Sequence, residues 1–169
     1  MSLERIRPVA IAIVCRGRRV HRDGRVRRGG GIGHDDEILV FESREPDSRG
    51  RIFYRPLGGS IEFGEYGHET LVRELQEELG AEIENVRYLG LRENLFPAPG
   101  GQRAHEIVLV YQADLADRTL YDREEMLCTE DSGNTFRVFW KPLSFFQRGE
   151  APLYPNGLLE LLLDGGAES

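Results

Sequence analysis

The segment from Gly58 to Ala81 is the feature that most restricts how this chain folds and what it does. A single arginine, Arg73, accompanies six acidic side chains, which are Glu62, Glu65, Glu69, Glu74, Glu77 and Glu78. Carboxylates at helical spacing repel one another, so either solvent screens them or a positive ion binds among them. The segment therefore predicts either a solvated acidic surface or a cation site.

An amphipathic helix is predicted from about Tyr66 to Leu79. Leu71, Leu75 and Leu79 recur at every fourth position and form one narrow apolar stripe. Gly80 follows directly, and glycine is the usual residue at a helix C-terminus. We expect this helix to pack on a sheet through its leucines.

Three glutamates of this helix, Glu74, Glu77 and Glu78, fall within one turn on another face. Their natural partner is a hard divalent cation, and Mg²⁺ in particular bridges carboxylates to substrate phosphates. The preceding stretch "LGGSIEFGE" contains Gly58, Gly59 and Gly64, and we expect it to be a loop that presents carbonyls to such a metal. Bidentate pairing suits Arg73 for holding neighbouring carboxylates in place.

The same segment resembles the Nudix box, which is written G-x5-E-x7-R-E-U-x-E-E-x-G-U with U a bulky aliphatic residue. The matching positions are Gly59, Glu65, Arg73, Glu74, Leu75, Glu77, Glu78 and Gly80. Ala81 stands where the family has a larger aliphatic residue, a change that concerns packing at the helix exit. The box covers residues 59–81.

Resemblance to the Nudix family implies an α/β/α sandwich around a mixed β-sheet and hydrolysis of a nucleoside diphosphate linked to another group. It implies Mg²⁺ or Mn²⁺ as cofactor, with Glu77 and Glu78 as main ligands and the Gly58 carbonyl as a further one. Glu74 resembles either a metal ligand or the base that deprotonates the attacking water. Glu65 and Arg73 resemble an orienting pair.

Many family members use a further glutamate outside the box. Glu106 is the favoured candidate, because strand alternation from Val108 and Val110 puts it at the start of a strand beside a loop. Glu93 is the alternative, and both are otherwise ordinary surface acids.

Substrate contacts are predicted at Arg55 for a phosphate and at Phe96 for stacking on a base, with Tyr54 and Trp140 as further aromatic candidates; aromatic residues of this kind otherwise serve in packing. Pro97 lies sixteen residues beyond the box, a spacing that resembles ADP-ribose pyrophosphatases of the family.

The remaining elements fit one mixed α/β domain over residues 1–169. Apolar and β-branched runs predict strands. These cover Arg7–Cys15, Glu37–Ser43, Arg51–Pro56, Glu84–Phe96, His105–Leu115 and Thr135–Leu143. The stretch "NGLLELLLDGG" predicts a short late helix closed by Gly165.

Net charge and the N-terminal sequence limit the function classes. The formal charge of −7 argues against a general nucleic-acid binder. Seven arginines between Arg16 and Arg28 nevertheless form a basic stretch, either a solvated hairpin around Asp23-Gly24 or a contact for an anionic substrate. The N-terminus lacks the layout of a signal peptide and no run is long enough to span a membrane, so a cytoplasmic location is expected.

Two alternatives to a nucleotide pyrophosphohydrolase stay open. One is a catalytically silent nucleotide-binding regulator, although intact glutamates argue against it. The other is a hydrolase of RNA 5′ ends, which the arginines favour and the overall charge weakens. Nudix relatives often form dimers, so a homodimer is a further expectation.

Overall fold

The computed structural model of the chain describes residues 5–17, 32–45 and 50–164. Eight strands are found in this part of the chain: β1 Ile6–Arg16, β2 Glu37–Arg44, β3 Ile52–Arg55, β4 Gly58–Ser60, β5 Ile83–Pro97, β6 Arg103–Leu115, β7 Glu125–Thr129 and β8 Thr135–Pro142. The α-helices are α1 Gly67–Leu79, α2 Leu143–Gln147 and α3 Leu158–Leu163, with short 3₁₀ turns at Pro99–Gly101 and Arg118–Asp122.

The strands form one mixed sheet in the order β5-β6-β1-β2-β8-β7, with β3 added to β2 and β4 added to β1. The β1–β6 pair is parallel and the other pairs are antiparallel. This arrangement confirms the mixed sheet predicted from the sequence.

Strand β1 is buried on both faces and defines the layers. Alternate side chains of a strand point to opposite faces. Val9, Ile11 and Ile13 join an apolar cluster that includes the leucines of α3. Ala10, Ala12 and Val14 join a second cluster, which contains Leu71 and Leu75 of α1. Helices therefore cover both faces of the sheet, and the predicted α/β/α sandwich is confirmed.

The neighbours of β1 change along its length, and this opens the sheet. Its C-terminal end pairs with β2 through Cys15 and Arg16. Nearer its start, residues Val9 to Ile11 pair instead with β4. Strands β2 and β4 therefore diverge from the same side of β1, and a cavity lies between them.

Three elements differ from the sequence-based prediction. Gly58–Ser60 was expected to be a loop but forms β4, because β1 supplies hydrogen-bonding partners that no local pattern reveals. Strand β7 was not predicted; only Met126 and Cys128 of its five residues are buried, and charged residues flank them. Leu143 was assigned to the last strand but begins α2.

Most of the basic stretch lies outside the described residues, as do the Asp23-Gly24 hairpin and Gly165. Arg16 is the described member; its Nε donates to Glu37 at 2.7 Å, and its guanidinium lies 5.0 Å from the ring centre of Trp140. Across the parts of the chain that the structure describes, no helix has the length and apolar content needed to cross a membrane.

Replacing Leu75 by alanine is expected to lower the free energy of unfolding by about 2–5 kcal/mol, because the side chain is fully buried between α1 and the sheet. Val72→Ala, on the half-exposed face of the same helix, is the control and is expected to cost about 1 kcal/mol or less. Urea unfolding of both variants measures the difference. Equal losses would contradict the packing described for α1.

Candidate active site

Helix α1 and the loop before it are held together by one ion-paired group. Arg73 Nε and Nη2 donate to the two carboxylate oxygens of Glu65 at 2.9 and 3.0 Å. Glu65 also accepts a bond from the Thr70 hydroxyl at 2.7 Å. Arg73 Nη2 reaches the Ser60 carbonyl of β4 at 3.3 Å. The predicted orienting pair is thus brought together, and it fastens the helix to β4.

Glu65 is expected to stabilise the fold in a pH-dependent manner. Hydrogen bonds from Arg73 and Thr70 lower its pKa from 4.5 to about 2. A lowered pKa in the folded state stabilises the protein above pH 4.5, and that stabilisation is lost as the pH falls towards 2. Glu65→Gln should cost about 2 kcal/mol at pH 7 and little near pH 2.

Urea unfolding of wild type and Glu65→Gln between pH 7 and pH 3 measures this dependence. The exposed Glu69→Gln variant serves as the control, because glutamine keeps an oxygen that can accept the bond from the Tyr66 N–H, which is 2.8 Å long in the wild type. A stability difference between wild type and Glu65→Gln that stays constant with pH would contradict the assignment.

Glu74 lies directly against β4. A Cβ atom on Gly59 would be 2.1 Å from Glu74 Oε1, so glycine is needed there for the carboxylate to occupy its position. Arg73 Nη1 donates to the same oxygen at 2.9 Å. Burial raises the pKa of Glu74, and the guanidinium of Arg73 opposes that rise.

Glu78 is one turn further along α1 and is the most electrostatically strained acid of the group. Burial and the nearby carboxylates of Glu74, Glu130 and Asp131 raise its pKa to about 7. Its Oε2 atom is buried and has no hydrogen-bond partner among the residues that the structure describes. A buried, unpaired carboxylate oxygen surrounded by like charges is stabilised by a proton or by a cation.

Glu77 differs from Glu74 and Glu78 in its position relative to the cavity. Its carboxylate accepts from Arg73 Nη1 at 3.3 Å and is partly exposed, and it is absent from the cavity wall. Of the three glutamates expected to converge, the structure therefore brings Glu74 and Glu78 together and leaves Glu77 beside them on Arg73.

Gly58 contributes backbone to the same place. Its pair with Ile11 lies between the hydrogen-bonded positions of the β1–β4 ladder, since Ala12 N–H donates to the Leu57 carbonyl and Ile61 N–H to that of Pro8. The Gly58 carbonyl consequently points away from β1. Gly58 lines the cavity together with Glu74 and Glu78.

The cavity between β2 and β4 has a volume of about 370 Å³, within the range of small-molecule sites. Its walls differ in charge. The acidic part consists of Glu74, Glu78, Glu130 and Asp131, and the basic part consists of Arg7 and Arg55. Such a cavity can take a cation and an anion next to each other.

The sequence analysis did not predict that Glu130 and Asp131 contribute to the site. They lie at the turn between β7 and β8, where the Glu130 and Asn134 backbones are joined at 2.8 Å. The stretch "EDSGN" is a recognisable turn signal, but the position of its acids across from α1 depends on tertiary pairing.

Glu106 is 1% exposed and lies behind the cavity's arginines, outside the cavity wall itself. Its Oε1 is hydrogen-bonded to Arg7 Nη2, and its Oε2 lies 3.8 Å from Arg55 Nη2. The amide of Asn94 donates to Oε2 at 3.3 Å. Burial lowers the pKa of Arg55, while the charge of Glu106 raises it.

The other predicted residues lie away from the cavity. Glu93 is exposed, and its Oε1 is hydrogen-bonded to His105 Nε2 at 2.7 Å. Phe96 lies near the end of β5, paired with Ala104, and is not part of the cavity wall. Arg55 is the predicted substrate contact that does line it.

The donor set fits a hard divalent cation. In the described residues, no three acidic, histidine or cysteine side chains are preassembled as a metal site. The unpartnered Glu78 oxygen and the Gly58 carbonyl nonetheless border one cavity with Glu74, and oxygen donors of this kind suit Mg²⁺ or Mn²⁺.

Comparison with known proteins identifies a family to which this sequence is similar. The model of the NUDIX domain matches residues 27–144. The NAD-capped RNA hydrolase NudC of Photorhabdus laumondii is 31% identical over 101 residues, which cover 59% of this chain and 35% of that protein. NudC of Actinobacillus succinogenes is 32% identical over 115 residues, which cover 68% and 37%. The chain thus spans about a third of the length of the curated relatives it matches.

Solved structures share the fold. A NUDIX hydrolase from Nitrosomonas europaea superposes with a TM-score of 0.55 at 15% identity, covering 93% of this chain and 86% of that one. The MutT NUDIX hydrolase from Burkholderia pseudomallei gives a TM-score of 0.54 at 18% identity, covering 97% and 100%.

Proposed function

The chain belongs to the Nudix hydrolase family, and from that premise we propose that it is a metal-dependent pyrophosphohydrolase acting on a nucleoside diphosphate linked to another group. The observation that carries the proposal is the single cavity that Gly58, Glu74 and Glu78 line together with Arg7 and Arg55. Both phosphate groups of a pyrophosphate are negatively charged, so each is stabilised by a positive partner. This cavity offers a candidate cation site and two guanidiniums.

Gly58, Glu77 and Glu78 are proposed metal ligands, and Glu74 is proposed as either a further ligand or the base that deprotonates the attacking water. Glu77 would exchange part of its contact with Arg73 for the ion, since its carboxylate is partly exposed. When bound, Mg²⁺ or Mn²⁺ would neutralise charge on the pyrophosphate and make water easier to deprotonate. Glu65 and Arg73 keep α1 against β4, so that Glu74 and Glu78 face the Gly58 backbone.

Among the candidate bases we favour Glu74 over Glu106 and Glu93. Glu74 borders the cavity and its raised pKa brings it closer to the range in which a carboxylate accepts a proton well. Both oxygens of Glu106 are directed at arginines, and Glu93 faces His105. Glu106 therefore has a proposed role in positioning, and Phe96 keeps only its predicted role in binding a base.

The relatives named NAD-capped RNA hydrolase favour one refinement of the substrate. NAD is itself a nucleoside diphosphate linked to a second nucleoside, so NAD and NAD-capped RNA belong to the proposed substrate class. The arginine stretch from Arg16 to Arg28 supports an RNA substrate, and the net charge of −7 opposes it.

Chromatographic analysis of the products tests the proposal, because cleavage of the pyrophosphate bond yields a nucleoside monophosphate together with a phosphorylated remainder or pyrophosphate, and no free phosphate. Substrates are NAD, NAD-capped RNA, ADP-ribose, nucleotide sugars, nucleoside triphosphates and dinucleoside polyphosphates, each with Mg²⁺, with Mn²⁺ and with chelator. We expect turnover of at least one of them that stops when the metal is removed. Tight nucleotide binding without any turnover would overturn the proposal in favour of a silent regulator.

Three expectations accompany this proposal and await their own measurements. Residues 1–169 are proposed to form one Nudix domain. The protein is proposed to be cytoplasmic, and it is proposed to form a homodimer, which light scattering of the purified chain would measure.

A further inference from the structure

Two arginines on the cavity wall share one buried carboxylate. Arg7 of β1 and Glu106 of β6 are paired across the parallel ladder, and Asn94 of β5 is paired with Glu106 on its other side. Arg55 reaches the same carboxylate from the end of β3. The side chains of three residues from three other strands thus meet at the carboxylate of Glu106.

The charges of this group do not cancel. Glu106 carries one negative charge, whereas Arg7 and Arg55 carry one positive charge each, so a net positive charge stays beside the cavity. Each guanidinium has five N–H donors, and the carboxylate with its two oxygens uses only part of them. The side chains of Arg7 and Arg55 are 48% and 23% exposed, so the remaining donors are accessible from the cavity.

Stability alone does not account for such a group. A buried ion pair commonly contributes no more to stability than well-packed apolar residues of the same size, because removing the charges from water is costly. What a buried carboxylate does provide is orientation: Glu106 accepts a hydrogen bond from the Arg7 guanidinium, and its charge attracts the Arg55 guanidinium, which lies 3.8 Å away. Here both guanidiniums line a cavity that Glu74 and Glu78 also line.

We propose that Arg7 and Arg55 form a binding site for a phosphate group of the substrate, and that Glu106 is the positioning residue that holds both guanidiniums for it. This inference rests on the proposed function, because it assigns one phosphate of the pyrophosphate to the arginines and the other to the cation that Glu74 and Glu78 would hold. It gives Arg7 a role in phosphate binding and explains why a carboxylate is buried at Glu106.

Calorimetric titration with inorganic pyrophosphate, in chelator and at low ionic strength, tests the phosphate site separately from catalysis. Arg7→Gln and Arg55→Gln should each weaken binding roughly ten-fold, as expected for loss of charge-assisted hydrogen bonds. Arg137→Gln is the matched control: it removes the same charge from an exposed arginine of β8 that is paired with Glu125 at 2.7 Å. Its affinity should stay within about two-fold of wild type.

Equal weakening in all three variants would mean general attraction of an anion and would overturn the proposal. So would unchanged binding by Arg7→Gln and Arg55→Gln, or no saturable binding by wild type. If the phosphate site is contradicted in this way but one of the assayed substrates is still hydrolysed in the presence of metal, the proposed function is unaffected. Arginine-dependent pyrophosphate binding without turnover of any assayed substrate would support the phosphate site and contradict the proposed function.

Glu106→Gln separates positioning from plain electrostatics through the sign of its effect. A carboxylate that merely lies near the site repels an anion, so its removal would tighten pyrophosphate binding. A positioning carboxylate is needed to orient the arginines, so we expect roughly ten-fold weaker binding. In turnover, KM should rise by a similar factor with kcat nearly unchanged. Tighter binding or an unchanged KM overturns the positioning role.

Arg7→Lys provides a second variant in case Glu106→Gln does not fold. Lysine keeps the charge but lacks the planar fork of donors that the carboxylate orients. Weaker pyrophosphate binding by Arg7→Lys, despite the retained charge, supports an oriented site. Wild-type affinity overturns it.

Discussion

Glu78→Gln is expected to lower kcat by about 10³-fold while leaving the protein folded. The substitution keeps the size of the side chain but removes the charge of the one cavity-lining carboxylate whose buried oxygen has no hydrogen-bond partner in the described structure. That oxygen is the best-placed ligand for a cation, so the loss falls on metal-dependent turnover.

The stability of Glu78→Gln is expected to equal or exceed that of wild type. Glu78 is buried among Glu74, Glu130 and Asp131, so removing its charge relieves repulsion and lowers the cost of burial. Steady-state kinetics with Mg²⁺ and urea unfolding give the two readouts. Glu82→Gln, an exposed acid just beyond α1, is the matched control and should retain full activity. Normal activity of Glu78→Gln would remove Glu78 from the proposed ligands.

Gly58→Ala is expected to lower the free energy of unfolding by about 3 kcal/mol or more, or to prevent folding. Gly58 has a φ of +149°, and a Cβ atom there would be 2.0 Å from the Ala10 carbonyl oxygen and 2.8 Å from the Ile11 Cα. Both contacts are with the backbone of the central strand, which has no freedom to move aside.

Gly149→Ala distinguishes this clash from backbone strain alone. Gly149 also has a positive φ, +72°, but no atom lies within 4 Å of the position its Cβ would occupy. Its substitution should cost about 1 kcal/mol from the left-handed backbone. Urea unfolding of the two variants measures the difference. A similar loss at both positions would show that the approach of β4 to β1 is looser than described.

A third variant, Gly59→Ala, acts on the site rather than on the fold. The added methyl group meets the flexible end of Glu74 instead of backbone, so the carboxylate moves and the protein stays folded. We expect reduced turnover with nearly unchanged stability. Comparing it with Gly58→Ala by kinetics and by unfolding separates the roles of the two adjacent glycines. Wild-type turnover would indicate that the position of Glu74 does not matter.

The helix and its acids could be predicted because they depend on local spacing. The leucine period gave α1 within one residue of its observed start, and Gly80 ends it as expected, with a φ of +66°. The pairing of Glu65 with Arg73 also follows from a short separation, since both lie on the same loop and helix.

The rest of the cavity could not be predicted, because it depends on which distant strands become neighbours. Arg7 meets Glu106 across 99 residues of chain, and no periodic pattern encodes that pairing. Glu130 and Asp131 approach Glu78 only because β7 lies beside β8 at the edge of the sheet next to α1. Phe96 was an aromatic residue at a plausible position, but strand pairing leaves it off the cavity wall.

The long-range origin of the cavity also sets when it can exist during biosynthesis. Its walls combine residues near the start of the chain, such as Arg7, with Ser132 close to the other end. A nascent chain that has emerged from the ribosome only as far as Ala81 already contains the whole 59–81 motif, yet lacks Glu106 and the β7–β8 turn. The cavity wall is therefore completed only after β7 and the turn that follows it have been synthesised, and a chain truncated before β7 would retain residues 59–81 without the complete wall.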